Sequence, residues 1–567
     1  MFKEKDVFDF GRYYRYNELV EILRNLVEKY PKLARLRSIG KSYEGRDLWV
    51  MEVTNYDKGA ADDKPAIWID GNIHAGEVTG SIVCLKTIWY LLTKYGNDAF
   101  VTDLMDTRAF YVEPRVNPDG AEYYLTTPYT CRSSVRPYPY TEKEWEEFEG
   151  LYREDVDGDG YVTQMRVIDP NGDWKISDKD PRLMIKRGLD ESGGVYYRIY
   201  PEGLILNYNK GEVKFKPPKF GLDMNRNYPG GWLPEGVQSG AGPYPLSEPE
   251  TKAQADFILA HKNIWATFCY HTSGRFLCCV PAERQPGVEL EWSEKDIAPW
   301  KAIGAMGKEV TGYYPRPGVW YHGLASRWHY THLGVYSWTP ELWNLLEHLG
   351  FGNFKELEER GLRLDTLKEE EGLRVLEWND RELAGNGFVN WTAYDHPQLG
   401  QVEIGGWKEK FIMQNPPEKL LEAEVDKSMM FPLKHAALSP LIKITQAEAK
   451  PISEQIFRIK VTVQNTGFIP TNVTQKAVEL RIAKPVVTEL RCGKDVEIIS
   501  GPRRVEVGHL EGRSDRLVST RIAVQVEDRS KKIVEWLIKL TRLPSKVDLV
   551  VISEKGGRDQ TQIKLIE

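Results

Sequence analysis

Cysteine and histidine, two residues that often ligate metals, are both scarce in this sequence. Six cysteines occur in 567 residues, and no two of them have the CxxC spacing of a thiolate metal site. We therefore expect neither a disulfide framework nor a cysteine-ligated zinc site, and we predict reduced thiols in the core. Histidine occurs ten times, so a metal site would have to combine a few imidazoles with carboxylates.

Long apolar runs are missing as well. No uninterrupted apolar stretch approaches the roughly 18 residues that a membrane-spanning helix needs, and residues 1–6 lack the apolar core of a secretory signal. The net charge is −7, from 76 basic and 83 acidic residues, and a field of that sign attracts neither nucleic acid nor anionic lipid. We therefore expect a cytoplasmic protein that binds neither nucleic acid nor membranes.

The first 440 residues alternate between apolar runs and helical patterns. Hydrophobic residues make up 41% of the sequence and charged residues 28%, as in ordinary folded proteins. Short apolar runs typical of buried strands occur at 66–69, 109–112, 264–270 and 335–339. This alternation predicts an α/β domain over residues 1–440, with a mixed, largely parallel sheet flanked by helices. A helix over 418–430 that ends before Pro432 is expected to close it.

Two other segments differ in composition from this domain. Residues 121–220 are polar, aromatic and rich in Gly, Pro and Asp, which predicts an insertion with its own small structure. After residue 440, apolar and polar residues alternate with the period of half-buried strands. This pattern occurs at 457–463, 478–482 and 522–526. Several strands within 441–567 predict a C-terminal β-sandwich of immunoglobulin-like type, an accessory domain in which nothing looks catalytic.

One pair of candidate metal ligands follows the first buried strand. His74 and Glu77 are separated by two residues, and an imidazole nitrogen and a carboxylate oxygen both bind zinc well. Open α/β sheets build their sites at the carboxyl ends of strands, where this pair would lie. The spacing alone is weak evidence, but further motifs follow in order at predicted strand or helix ends. They are Asn117-Pro118-Asp119-Gly120, Asp223-Met224-Asn225-Arg226-Asn227, Ser247-Glu248-Pro249-Glu250, Tyr270-His271-Thr272-Ser273 and Ser337-Trp338-Thr339-Pro340-Glu341.

This ordered set of motifs resembles the zinc carboxypeptidases of the carboxypeptidase A type over residues 10–440, the insertion excepted. The resemblance implies one zinc ion held by His74, Glu77 and His271, with water in the open fourth position. It makes Asp223 the acid that orients His74 and Glu341 the general base that takes a proton from the zinc-activated water. The implied activity is hydrolysis of the C-terminal peptide bond of peptides or proteins.

The resemblance also implies residues that bind the substrate. Asn225 and Arg226 match the pair that grips a terminal carboxylate, for which a guanidinium is well suited. Tyr321 is the best match to the mobile tyrosine that closes over the substrate. The family has an arginine upstream of the Asn-Arg pair that stabilises the oxyanion. Five cations could fill that role, and the sequence does not choose among them: Arg132, Arg136, Lys214, Lys216 and Lys219.

The sequence departs from carboxypeptidase A at the substrate side. Gly76 stands where carboxypeptidase A has arginine, which puts affinity for a carboxylate at that subsite in doubt. The stretch that would line the specificity pocket includes Arg327, which would favour acidic side chains if it points inward. The same stretch includes Trp328, which would favour large apolar side chains.

Two alternatives remain for the function. A zinc hydrolase of the same fold could act on cell-wall peptides, on a side-chain glutamate or on N-acyl amino acids, because fold and metal site do not separate these substrates. An inactive carboxypeptidase-like binding module, with the sandwich as its partner surface, is the alternative of another class. The intact set of His74, Glu77, His271 and Glu341 argues against it.

The insertion carries one further motif. Asp155, Asp157 and Asp159, followed by Gly160, resemble the start of a calcium loop. Position 12 is Arg166 instead of the bidentate glutamate, so a complete EF-hand is excluded. A solvated acidic turn is the favoured interpretation. The alternative is a calcium site, for which a carboxylate such as Asp169 or Asp173 would complete the ligands.

Overall fold

The computed structural model describes residues 8–282, 292–318, 321–516, 528–542 and 545–565. No helix in these ranges has the length and apolar composition needed to cross a lipid bilayer.

The first part of the chain builds one half of a central sheet. Its elements are α1 (Tyr16–Lys29), β1 (Ala34–Lys41), β2 (Asp47–Val53), β3 (Ala66–Gly71), α2 (Thr79–Lys94), α3 (Ala99–Thr107), β4 (Ala109–Glu113) and α4 (Pro118–Thr126). Helix α1 buries Leu19, Leu23 and Leu26, which recur at helical spacing. Every residue of β3 and β4 is buried, as expected for strands covered on both faces.

The insertion contains mainly short strands. Its elements are α5 (Glu142–Glu147), β5 (Gly150–Arg153), β6 (Gln164–Ile168), β7 (Trp174–Ile176), β8 (Met184–Lys186), β9 (Tyr197–Pro201) and β10 (Gly203–Leu206).

The chain then returns to the central sheet and completes it. The elements are α6 (Pro249–Ala260), β11 (Ile264–Thr272), β12 (Phe276–Ala282), α7 (Glu294–Thr311), β13 (Tyr314–Gly318), α8 (Ala325–Leu333) and β14 (Tyr336–Leu342). The eight strands have the order β1-β2-β4-β3-β11-β14-β12-β13. Strands β4, β3, β11 and β14 run parallel in its middle, whereas β1, β2 and β12 form antiparallel pairs. The predicted mixed, largely parallel α/β fold is confirmed.

A second long excursion follows the central sheet. Its elements are α9 (Leu345–His348), α10 (Phe354–Glu359), α11 (Glu369–Leu383), β15 (Phe388–His396), β16 (Gly400–Trp407) and α12 (Glu418–Ala436). Strands β15 and β16 join the insertion in one six-stranded sheet of order β15-β16-β6-β9-β7-β8. The insertion therefore does not form a structure of its own, because residues 388–407 complete its sheet.

Helix α12 closes the α/β domain, but it continues past the predicted end. Pro432 lies inside the helix, which runs on to Ala436. A proline has no N–H for the carbonyl four residues earlier, which here belongs to Ser428. That carbonyl accepts a hydrogen bond from the Tyr270 hydroxyl at 2.9 Å instead. A tertiary partner thus replaces the missing helical bond, and the predicted end before Pro432 is wrong.

The C-terminal region consists of two antiparallel sheets. Its elements are β17 (Ile442–Pro451), β18 (Ile456–Asn465), α13 (Gln475–Glu479), β19 (Val486–Cys492), β20 (Val496–Ser500), β21 (Arg504–Gly508), β22 (Lys531–Leu540), β23 (Ser545–Ser553) and β24 (Gly557–Leu565). The sheets have the orders β17-β18-β22-β20 and β21-β19-β23-β24, and their inner faces share one apolar core. The all-β prediction for this region is confirmed.

The individual strand predictions in this region have different outcomes. The strand at 457–463 is confirmed as part of β18. The strand at 478–482 is wrong: residues 478 and 479 are the end of α13, and a turn follows. The helix forms because the Thr474 hydroxyl accepts the Ala477 N–H as an N-cap. The strand at 522–526 lies outside the described residues.

Candidate metal and substrate site

The three predicted metal ligands converge at the carboxyl ends of β3 and β11. His74 and Glu77 lie in the turn between β3 and α2, and His271 is near the end of β11. The Nδ1 atoms of the two histidines are 3.1 Å apart. The Nδ1 atom of His74 lies 2.9 Å from Oε1 of Glu77, and that of His271 lies 2.9 Å from Oε2. All three side chains are buried. They meet because β3 and β11 are parallel neighbours in the sheet.

The arrangement of these atoms fits a zinc ion. Two nitrogens bound to one zinc at about 2.0–2.1 Å lie roughly 3 Å apart, and two imidazoles with one carboxylate are a known catalytic donor set. The other ring nitrogen of His74, Nε2, is 3.0 Å from Oδ1 of Asp223. A carboxylate in that position keeps the proton on Nε2 and leaves the Nδ1 lone pair facing the cluster.

The charges around the cluster keep its carboxylates ionised. Burial acts to raise the pKa of Glu77, but His74 and His271 hold it well below its ordinary value. Burial likewise opposes ionisation of Asp223, yet His74 and Arg132 hold its pKa well below the usual range. Both residues are therefore anionic at neutral pH, as a metal ligand and its supporting acid must be.

The structure places one of the five candidate cations at this cluster. Arg132 donates from Nε to Oδ2 of Asp223 at 2.8 Å, and its Nη1 lies 3.6 Å from Oε1 of Glu77. The other four are engaged elsewhere: Arg136 pairs with Glu248, Lys214 with Glu149, Lys219 with Glu142, and Lys216 lies over the Trp145 ring. Since the Arg132 side chain is 45% exposed, it can contact a molecule that binds beside the three metal-ligating residues.

Glu341 lies across from His271 on the neighbouring parallel strand. The two residues are paired in the register of β11 and β14. Burial raises the pKa of Glu341 to about 7; the charge on His271 opposes this shift and that on Glu77 adds to it. A carboxyl group with such a pKa can exchange a proton near neutral pH.

The three predicted substrate residues lie together beside the cluster. Asn225 and Arg226 belong to a short 3-10 turn that follows Asp223. The amide of Asn225 is 3.4 Å from Nε2 of His271. The Arg226 guanidinium lies 4.3 Å from the centre of the Tyr321 ring, and the Tyr321 residue is 45% exposed. The site thus has a half-buried cation beside an exposed aromatic ring.

The glycine at position 76 is explained by later residues of the chain. A Cβ at Gly76 would lie 2.4 Å from the Gln414 side chain and 2.7 Å from the Tyr124 ring. Asn415 donates its side-chain amide to the Gly76 carbonyl at 2.7 Å. The segment that leads into α12 therefore fills the space that a longer side chain at Gly76 would need.

Both residues of the specificity-pocket hypotheses are buried. Trp328 is 3% exposed and stacks on Tyr228 in the apolar core, so it is occupied by packing. Arg327 is also buried, with its guanidinium against Gly231. The preference of this pocket, for acidic or for large apolar side chains, stays a prediction.

Two asparagines that support the ligand loop were not found from the sequence. Asn72 adopts φ 65° and donates its amide to the His74 and Ala75 carbonyls at 2.7 and 3.1 Å. Asn117 donates to the Ser133 carbonyl at 2.8 Å, which joins the ligand loop to the segment that carries Arg132. Asn117 belongs to a quoted motif and Asn72 lies two residues before His74, but nothing in the spacing indicates these bonds.

A large cavity of about 2330 Å³ opens beside the site. Arg132 and Ser273 line its end near the metal cluster, while Trp145, Tyr152 and Trp407 line the part formed by the insertion and β16. The insertion and residues 345–417 therefore contribute aromatic side chains to the lining of this cavity.

The three aspartates of the acidic turn in the insertion lie close together. Carboxylate oxygens of Asp155, Asp157 and Asp159 lie within 4.8 Å of one another. Asp169 forms an ion pair with Arg198 and does not belong to this group of carboxylates. Calcium binding stays a prediction.

The sheet and the His74, Glu77 and His271 cluster define an α/β protein with a candidate catalytic zinc site. Residues 19–351 match the family model described as zinc carboxypeptidase, and the chain belongs to this family. Residues 441–564 match a model described as a domain of unknown function.

Known proteins match parts of this chain. A zinc carboxypeptidase of Saccharothrix mutabilis subsp. capreolus is 37% identical over 116 residues, which is 20% of this chain and 26% of that protein. Carboxypeptidase B of Astacus astacus is 32% identical over 169 residues, 30% of this chain and 46% of that protein. The chain thus matches less than half the length of either relative. The solved structure of thrombin activatable fibrinolysis inhibitor aligns with a TM-score of 0.42 at 20% identity, covering 75% of this chain and 74% of that chain.

Proposed function

We propose that the protein is a zinc-dependent metallocarboxypeptidase that releases the C-terminal residue of peptides or proteins. The observation that carries this proposal is the placement of Arg226 and Asn225 beside a His74, Glu77 and His271 cluster that faces Glu341. A free carboxylate held by Arg226 would set the last peptide bond of a chain next to that cluster.

The residues of the site have separate roles in the proposed hydrolysis. His74, Glu77 and His271 would hold the zinc ion, which would supply a water ligand with a pKa of about 7 and a Lewis acid for the carbonyl oxygen. Glu341 accepts the proton of the attacking water and returns it to the leaving amine. Arg132 donates to the oxygen on which negative charge develops. Arg226 and Asn225 bind the terminal carboxylate while Tyr321 covers it.

The experiment combines metal analysis with a peptide screen. Zinc per chain is measured by mass spectrometry, and release of C-terminal residues is followed on peptides with free and with amidated C-termini. We expect one zinc per chain and hydrolysis of the free-carboxylate peptides. Bound zinc with cleavage only of cell-wall peptides, glutamate side chains or N-acyl amino acids would favour the alternative substrates. Bound zinc without any hydrolysis would favour a binding module.

Arg226→Gln should remove the preference for a free C-terminus. A hydrogen bond between charged partners contributes about 1.5–3 kcal/mol, so we expect kcat/KM on free-carboxylate peptides to fall about 10- to 100-fold. Amidated peptides should be affected much less. The matched control is Arg136→Gln, because Arg136 pairs with Glu248 away from the metal ligands. An unchanged ratio between free and amidated peptides in Arg226→Gln would contradict the assignment.

A further inference from the structure

Helix α8 begins at the candidate carboxylate-binding residues. The Ala325 N–H, at the start of α8, donates to Oδ1 of Asn225 at 3.0 Å. Just before it, the Gly323 carbonyl accepts the Tyr228 N–H at 3.0 Å. Gly323 has φ +72°, and a Cβ there would lie 2.0 Å from the Arg226 carbonyl oxygen. The backbone before α8 therefore packs directly on Arg226, and a shift of α8 would move the groups that fix Asn225 and Arg226.

The opposite end of α8 is held by the C-terminal β domain. Gly334 ends the helix in the left-handed conformation with φ 61°. Its carbonyl accepts the Thr474 hydroxyl at 2.6 Å. A Cβ at Gly334 would lie 2.5 Å from the Cβ of Ala477 in α13, so no side chain fits between the two helices.

A buried carboxylate on α7 connects α8 with α13. Asp296 of α7 is 3% exposed, and its two oxygens accept the Gln475 and Lys476 N–H groups at 2.7 and 3.1 Å. The same carboxylate accepts the Tyr330 hydroxyl of α8 at 2.9 Å. Removing the carboxylate would leave these three donors without their acceptor, which is costly in a buried junction. The carboxylate thereby fixes α13 and α8 to each other.

We propose that the C-terminal β domain positions α8, so that Thr474 and Asp296 are positioning residues for binding of the substrate's terminal carboxylate. The nine residues of α8 form a rod about 13 Å long. One end of α8 is bonded to Thr474 and the other to Asn225. The contact between α13 and α8 therefore acts on Asn225 and Arg226 through the helix. This inference rests on the proposed carboxypeptidase function.

The test uses three variants of the full chain. Thr474→Val removes the hydroxyl that bonds Gly334, and Thr474→Ser keeps it. Thr471→Val is the matched control, because Thr471 is equally buried in the same domain but bonds only Leu510 among the described residues. We expect Thr474→Val to raise KM for free-carboxylate peptides about three- to tenfold. Zinc content and kcat should stay near the wild-type values, Thr474→Ser should restore KM, and Thr471→Val should leave it unchanged.

Hydrogen exchange separates this inference from the proposed function. In Thr474→Val, amides of residues 325–333 should exchange faster than in Thr471→Val, whether or not the wild type cleaves peptides. Equal exchange and equal KM in the two variants would overturn the inference. If Thr474→Val does not fold, Asp296→Asn provides the same comparison. A wild type without peptidase activity would overturn the proposed function, and faster exchange over 325–333 would then still demonstrate the link between the domains.

Discussion

Glu341→Gln is expected to lower kcat by about 10²- to 10⁴-fold, the usual contribution of a general base. Glutamine has nearly the same shape as glutamate but cannot accept a proton from water. The residue faces His271 across the β11 and β14 register without being a proposed metal ligand, so zinc should remain bound at the wild-type level. The measurement is kcat on a free-carboxylate peptide together with zinc per chain.

Glu347→Gln is the matched control for this variant. Glu347 lies six residues further along the chain and faces Arg275, with Oε1 3.7 Å from the arginine Nε. It has no proposed role in the reaction, so kcat should stay near the wild-type value. Wild-type kcat in Glu341→Gln would show that another group accepts the proton.

The pH profile of the wild type should show the titration of the same residue. The carboxylate form of Glu341 accepts the proton, and that form is lost as the pH falls through its pKa. Burial raises this pKa to about 7, and the positive charge of bound zinc shifts it downwards. We therefore expect kcat/KM to fall about tenfold per pH unit on an acid limb below pH 7. An acid limb that persists in the residual activity of Glu341→Gln would assign it to another group.

The convergence of the metal-ligating residues could be predicted because these residues belong to short motifs at the ends of strands. His74 and His271 each follow a buried apolar strand, and parallel neighbours bring their carboxyl ends together. The same reasoning could not choose Arg132 over Arg136. Both arginines precede the insertion strands, and their partners, Asp223 and Glu248, are distant in sequence.

The features that escaped prediction depend on contacts between distant parts of the chain. Strand pairing between residues 164–166 and 403–405 has no local signal, so the insertion was predicted to be self-contained. Local rules predict that a helix ends before Pro432. Helix α12 continues because the Tyr270 hydroxyl bonds the Ser428 carbonyl, which the proline leaves without its helical partner. The alternation at 478–482 predicts a strand, but Thr474 caps a helix that packs on α8. In each case a tertiary partner overrides the local preference.

His74→Ala is expected to abolish zinc binding and activity together. The variant removes one of only three protein ligands, and the two that remain, Glu77 and His271, would hold the ion much more weakly. Zinc bound to the folded chain also stabilises it, by about 2.7 kcal/mol when free zinc is at 100 times its Kd. A chelator should therefore lower the unfolding midpoint of the wild type but not that of His74→Ala. The measurements are zinc per chain and the unfolding midpoint with and without chelator.

Two further variants are compared with His74→Ala in the same experiment. Asp223→Asn keeps all three ligands but weakens the support of His74 at Nε2, and loss of such a partner typically lowers metal affinity or activity 10- to 100-fold. His396→Ala is the matched control, since His396 is equally buried but bonds the carbonyl of Gly203, in β10 of the insertion, at 2.8 Å. The expected order of zinc affinity is wild type and His396→Ala, then Asp223→Asn, then His74→Ala. One zinc per chain in His74→Ala at wild-type affinity would place the metal at other residues.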